Sequence, residues 1–124
     1  MRKLRVLIVD DSPVFISSAR DFLLALPGVE CASSGAEGLS KAAEFGPDLV
    51  LTDISMPGMN GLEMMRLLRD RFPALRMYAV TLHGGAEYRA AALKSGAIGL
   101  IPKSEFVKAI PDLIAQLARG EGID

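Results

Sequence analysis

The chain has 124 residues, half of them hydrophobic, with a formal net charge of −1 and one cysteine, Cys31. This describes one ordinary domain with enough apolar residues for a core and no electrostatic footprint for nucleic acid. A lone cysteine excludes an internal disulfide and a multi-cysteine metal site, and reads as a small half-buried residue.

The N-terminus, Met1-Arg2-Lys3-Leu4-Arg5, is basic, but the apolar segment after it, Val6 to Val9, is too short for a signal peptide or a membrane span. A soluble, cytoplasmic protein is expected. Val6 to Val9 reads as a strand ending on Asp10-Asp11. Ser12-Pro13 signals a helix start, with the hydroxyl as cap and proline at the first helical position. Val14, Phe15, Ala19, Phe22, Leu23 and Leu26 recur at helical spacing until Pro27-Gly28 stops the helix. A short strand is predicted over Val29 to Ala32, then a helix from Ala36 to Phe45 ended by Gly46-Pro47. Leu49 to Leu51 is an apolar run bounded by turn residues, the pattern of a strand buried on both faces. It leads to Asp53 and then to Pro57, Gly58, Asn60 and Gly61, which favour tight turns. A helix follows over Leu62 to Phe72, with Leu62, Met65, Leu68 and Phe72 apolar. Met77 to Leu82 reads as a strand, His83-Gly84-Gly85 as a loop, Ala86 to Ser95 as a helix and Ile98 to Ile101 as a last strand. Ser104 to Arg119 reads as an amphipathic helix with Val107, Ile110, Leu113, Ile114 and Leu117 on one side. Residues 120–124 read as a frayed tail.

Strand and helix alternate five times, which argues for parallel βαβ units with helices on both faces of one sheet. In such a sheet all strand C-termini meet at one edge, where ligands bind. That edge receives Asp10, Asp11, Asp53, Thr81 and Lys103. Three acids close together raise each other's pKa unless a cation sits among them. Oxygen ligands without nitrogen or sulfur suit a hard cation, Mg²⁺ or Mn²⁺. A metal beside a lysine accepts phosphoryl oxygens, so Asp53 can serve as a nucleophile that becomes an aspartyl phosphate. Thr81 would hydrogen-bond one phosphoryl oxygen and Lys103 would pair with another. Singly, each residue has a plainer reading: Asp53 as a turn residue, Asp10 and Asp11 as helix caps, Thr81 as strand, Lys103 as a solvated lysine. Their convergence at successive strand ends is what argues for a site.

Over its full length the chain resembles a response-regulator receiver domain of the chemotaxis-regulator type. The matching pieces are Val9-Asp10-Asp11-Ser12, the run from Leu51 through Thr52-Asp53-Ile54-Ser55-Met56-Pro57-Gly58-Met59-Asn60 to Gly61, Val80-Thr81 and Pro102-Lys103. The resemblance implies a single doubly wound (βα)5 domain over residues 1–124, flavodoxin-like, with sheet order 2-1-3-4-5. It implies that Asp53 takes a phosphoryl group from a sensor histidine kinase or phosphotransfer protein. It implies that Asp10, Asp11, Asp53 and the backbone carbonyl of Ser55 hold Mg²⁺. Such a domain is not an enzyme beyond catalysing its own phosphorylation and dephosphorylation. The Thr81-Leu82-His83 and Pro102-Lys103-Ser104 pieces are most similar to receivers with a helix-turn-helix output domain, here expected beyond residue 124. A homodimer is a further implied partner; membrane and direct nucleic acid contact are not.

Three positions depart from the family's commonest pattern. Leu100 stands where an aromatic is usual, Leu82 follows the threonine where a small residue is usual and would crowd the entrance, and Ser104 replaces the proline after the lysine. A trans bond is expected before Ser104. Without the aromatic, the signal is expected to travel through the loop 82–85 and the helix after it. The surface between the helices starting near Ala86 and Ser104 would then be the partner face. Two rival readings stand beside this one. A haloacid-dehalogenase-like phosphatase would need a second acid two residues after Asp53, where the chain has Ser55. A receiver-like module that dimerises without phosphate is the alternative that Leu82 and Leu100 keep open.

Overall fold

A computed structural model describes residues 4–23, 28–82 and 85–119. The elements are β1 (Arg5–Val9), α1 (Pro13–Phe22), β2 (Gly28–Ala32), α2 (Gly35–Phe45), β3 (Leu49–Thr52), α3 (Gly61–Arg71), β4 (Arg76–Thr81), α4 (Ala86–Lys94), β5 (Gly99–Pro102) and α5 (Phe106–Ala118). A 3₁₀ turn, Lys103–Glu105, joins β5 to α5. All pairings are parallel, in the order β2-β1-β3-β4-β5. This is the doubly wound, flavodoxin-like architecture that the alternation and the resemblance led us to expect.

The period-2 alternation of strand side chains divides the core in two. Leu7, Val9, Val50, Met77 and Leu100 face α2, α3 and α4, where they meet Ala42, Met64, Met65, Leu68 and Ala92. Val6, Ile8, Leu49, Leu51 and Ile101 face α1 and α5, where they meet Ala19, Leu23, Phe106, Ile110 and Leu113. Every residue of β3 is buried, as its uninterrupted apolar run requires. Three helix starts are capped by side chains. Ser12 Oγ accepts from Phe15 N, Ser34 Oγ from Glu37 N, and Asn60 Oδ1 from Glu63 N. Each cap satisfies one orphan N–H of the first turn. Gly46 ends α2 in the left-handed conformation, φ 64°, which glycine adopts without steric cost.

Several sequence expectations need correction. Helix α1 ends at Phe22, before the expected Leu26; residues 24–27 lie outside the described residues, as do His83, Gly84 and the tail 120–124. The last helix does not start at Ser104, because that residue belongs to the 3₁₀ turn. Val14 and Val107, expected on apolar faces, are 77% and 63% exposed, while Met64, unremarked in the pattern, is fully buried. Leu82 is likewise exposed, and lies just beyond β4. Cys31 is buried and free. Every peptide bond among the described residues is trans, that before Ser104 included. No described helix is long and apolar enough to cross a membrane.

Candidate functional site

The C-terminal edge of the sheet gathers the polar residues. The ladder runs one residue past each central strand: Asp10 N donates to Ala32 O at 3.0 Å and Asp53 N donates to Val9 O at 2.9 Å. Both aspartates are thereby held by sheet hydrogen bonds rather than by a free loop. Asp10 is 1% exposed and Asp53 9%, whereas Asp11 is exposed. One oxygen of each buried carboxylate is committed locally. Asp10 Oδ1 accepts from Ser12 N at 2.9 Å, and Asp53 Oδ1 accepts from Ile54 N at 2.7 Å. The other two oxygens face Lys103, whose Nζ lies 2.8 Å from Asp10 Oδ2 and 3.4 Å from Asp53 Oδ2. Lys103 reaches them from the turn after β5. Its ammonium also stands over the Phe15 ring, 4.5 Å from the centroid.

Thr81 ends β4, fully buried, opposite Pro102 in the register. Ser55 is exposed on the loop two residues after Asp53. The structure thus brings Asp10, Asp53 and Lys103 into direct contact, adds Asp11 beside them, and sets Thr81 and Ser55 on the flanking segments.

Electrostatics follow from the burial. Removal from water pushes the Asp10 carboxyl above its ordinary value. The Lys103 ammonium and the Ser12 N–H oppose that rise, and the Asp53 charge adds to it. Burial alone would lower the Lys103 pKa, but the close contact with Asp10 and the two carboxylate charges outweigh it, so the net direction is up. The lysine is firmly charged, yet one ammonium does not offset the loss of water around Asp10.

The residues present fit a hard divalent cation. Asp10, Asp11 and Asp53 each offer a carboxylate oxygen, all within 4.8 Å of one another. Asp10 Oδ2 is buried and receives no aligned hydrogen bond, although the ammonium is near. An oxygen-only donor set with surplus negative charge is what Mg²⁺ or Mn²⁺ selects.

Two contributors escaped sequence reasoning. Gly61 N donates to Ile54 O at 2.9 Å, and a Cβ on Gly61 would lie 1.9 Å from Asp53 O. Only glycine lets the first turn of α3 press against the backbone of Asp53, whereas the sequence showed Gly61 as a turn residue. Phe15 showed only as an apolar position of the first helix; nothing in its spacing signals the lysine above its ring. A larger groove of ≈ 530 Å³ lies at the opposite edge of the sheet, between the ends of α2 and α3, with Asp48 as its one carboxylate.

Comparison with known proteins agrees with this geometry. The chain is 39% identical over 107 residues to the protein-glutamate methylesterase/protein-glutamine glutaminase of Geobacillus kaustophilus, covering 83% of this chain and 31% of that protein. It is 32% identical over 119 residues to the nitrate/nitrite response regulator protein NarL of Escherichia coli K12, covering 94% and 55% respectively. The chain thus spans between about a third and just over half of the length of these curated relatives. Among solved structures it is similar to the response regulator domain of Thermotoga maritima CheB, with a TM-score of 0.81, 30% identity and 99% of each chain covered. Residues 6–115 match the response regulator receiver domain. With its acidic residues at the ends of β1 and β3 of a 2-1-3-4-5 sheet, the chain belongs to the receiver-domain family of two-component response regulators.

Proposed function

We propose that this domain is a phosphoacceptor switch in which Asp53 takes a phosphoryl group from a histidine kinase or a phosphotransfer protein. The observation that carries the reading is the pairing of Asp53 Oδ2 and Asp10 Oδ2 across one half-buried ammonium, with Asp11 adjacent. A carboxylate oxygen of Asp53 attacks phosphorus, the P–N bond to the donor imidazole breaks, and its electron pair leaves with the ring nitrogen. Asp10, Asp11, Asp53 and the Ser55 carbonyl would hold Mg²⁺, or Mn²⁺, which when bound neutralises charge on the transferring group. Lys103 then follows a phosphoryl oxygen and Thr81 meets another. The domain catalyses only its own phosphorylation and dephosphorylation, and it works in the cytoplasm.

The output lies outside this chain in this reading. One relative, 29% identical, is the transcriptional regulatory protein DegU of Brevibacillus brevis, of which the chain spans 51%. A helix-turn-helix output domain beyond residue 124 and a homodimer are the partners we assign. Incubation with acetyl phosphate and Mg²⁺ is expected to add one phosphate per chain and none to Asp53→Asn. Label persisting in Asp53→Asn would sink the assignment. No label in the wild type, together with concentration-dependent dimerisation, would favour the phosphate-independent module instead.

A further inference from the structure

We propose that Phe15 is a positioning residue for Lys103: its ring face keeps the ammonium at the acidic pair, from which it can meet a phosphoryl oxygen on Asp53. This inference rests on the phosphoacceptor reading above. Among the described residues, three groups stand close to Lys103 Nζ: Asp10 Oδ2 at 2.8 Å, Asp53 Oδ2 at 3.4 Å and the Phe15 ring centroid at 4.5 Å. The ring is the neutral one of the three. Its quadrupole attracts the cation without the directionality of a hydrogen bond. The ammonium can therefore slide from Asp10 toward a new oxygen on Asp53 while staying on the ring face. Lysine is otherwise a flexible stem ending in a strongly hydrated charge. At 12% side-chain exposure, the ring and the carboxylates stand where water would be.

Phe15 is itself fixed from both sides. Its backbone N–H donates to the Ser12 cap at 3.2 Å. Its ring meets the edge of Phe106 at 5.3 Å and 75°, and Phe106 meets Phe22 at 6.0 Å and 60°. Phe106 is buried and follows directly on the 3₁₀ turn that carries Lys103. The segment that presents the lysine thus also grips the ring beneath it, so ring and ammonium are placed as one unit.

The test uses the whole chain. In wild-type protein free of metal and donor, the ε-methylene protons of Lys103 are expected upfield of free lysine through the ring current. Phe15→Leu keeps apolar bulk and should abolish that shift. With acetyl phosphate and Mg²⁺, Phe15→Leu is expected to lower the phosphorylation kcat/KM between about 2-fold and about 30-fold, the span of a cation–π contact. Phe15→Tyr, which restores a ring face, should recover most of the loss. In a Lys103→Ala background, Phe15→Leu should cost nothing more, because the ring then has no ammonium to hold. An equal loss in both backgrounds, or unshifted Lys103 protons in the wild type, would overturn the proposal. A wild type that takes no phosphate fails the phosphoacceptor reading instead; the ring-current shift and its loss in Phe15→Leu still decide where Lys103 is held.

Discussion

Asp10 concentrates the energetic conflict of the site. It is 1% exposed, and burial raises its pKa against the pull of Lys103. A folded pKa above the unfolded value means that the group's contribution to stability is fully present below about 3.8 and is lost as pH rises through the folded value. In metal-free protein, ionising Asp10 above the folded value therefore works against the fold. Asp10→Asn is isosteric and uncharged, and Lys103 keeps Asp53 at 3.4 Å as its counter-charge. We expect this variant to melt a few degrees higher than wild type at pH 7 in chelator, with the gain vanishing in acid below the unfolded value. A lower melting temperature would show that the Lys103 pair outweighs the desolvation. The same variant should bind Mg²⁺ more weakly, since a buried carboxylate held at a stability cost is one that a cation can repay. The Lys103 shift has the same sign in a higher window: its raised pKa supports the fold up to the lysine's ordinary range and that support is lost only above it.

The element that most constrains Asp53 is α3. Its four buried residues, Gly61, Met64, Met65 and Leu68, anchor it in the core, and Asn60 caps it. Its first residue lies against the Asp53 carbonyl, with no room for a methyl group. Gly61→Ala must move either the helix or the loop 53–60, and overpacking of this kind costs about 1–3 kcal/mol. We expect a matching fall in the denaturation midpoint and slower phosphorylation by acetyl phosphate. An unchanged midpoint would show that the loop steps aside freely and that α3 does not set the aspartate. Legibility at this scale was uneven. The Ser12 cap follows local chemistry and was legible, and the expected starts at Ala36 and Leu62 fall one residue after those observed, Gly35 and Gly61, whose caps Ser34 and Asn60 the sequence showed only as loop and turn residues. The contact between Gly61 and Asp53 depends on how the chain returns over itself, and no periodicity contains it.

Across the whole molecule, cohesion is unequal. Only Ala92 is buried among the nine residues of α4, and Gly85 gives it no side-chain cap. α3, with four buried residues and an Asn cap, is its opposite. Regions with few buried apolar contacts open at lower free energy. We expect the amides of α4 to exchange with solvent well before those of α3 in native-state hydrogen exchange. Equal protection in both helices would place the opening unit elsewhere. This ordering suits the expectation that the signal leaves through the segment after Thr81. Leu100 does not supply a surface reporter there, because it is 4% exposed and packs in the core.

What the sequence determined by itself was the strand set, the parallel pairing implied by the alternation, and the delivery of Asp10, Asp53 and Lys103 to one edge, while the strand order came from the family resemblance. The reason is local: a strand buried on both faces must be an unbroken apolar run, and a parallel sheet must send every strand's end the same way. Tertiary structure alone decided which apolar residues are covered. Val14 and Val107 fit a helical stripe yet remain exposed, while Met64 lies outside the expected stripe and is buried. A helix's own period shows where an apolar face can be, but the crossing of its neighbours shows how much of that face is covered. The same holds for Phe15: the sequence made it a core position, and the return of the chain at Lys103 placed a cation over its ring.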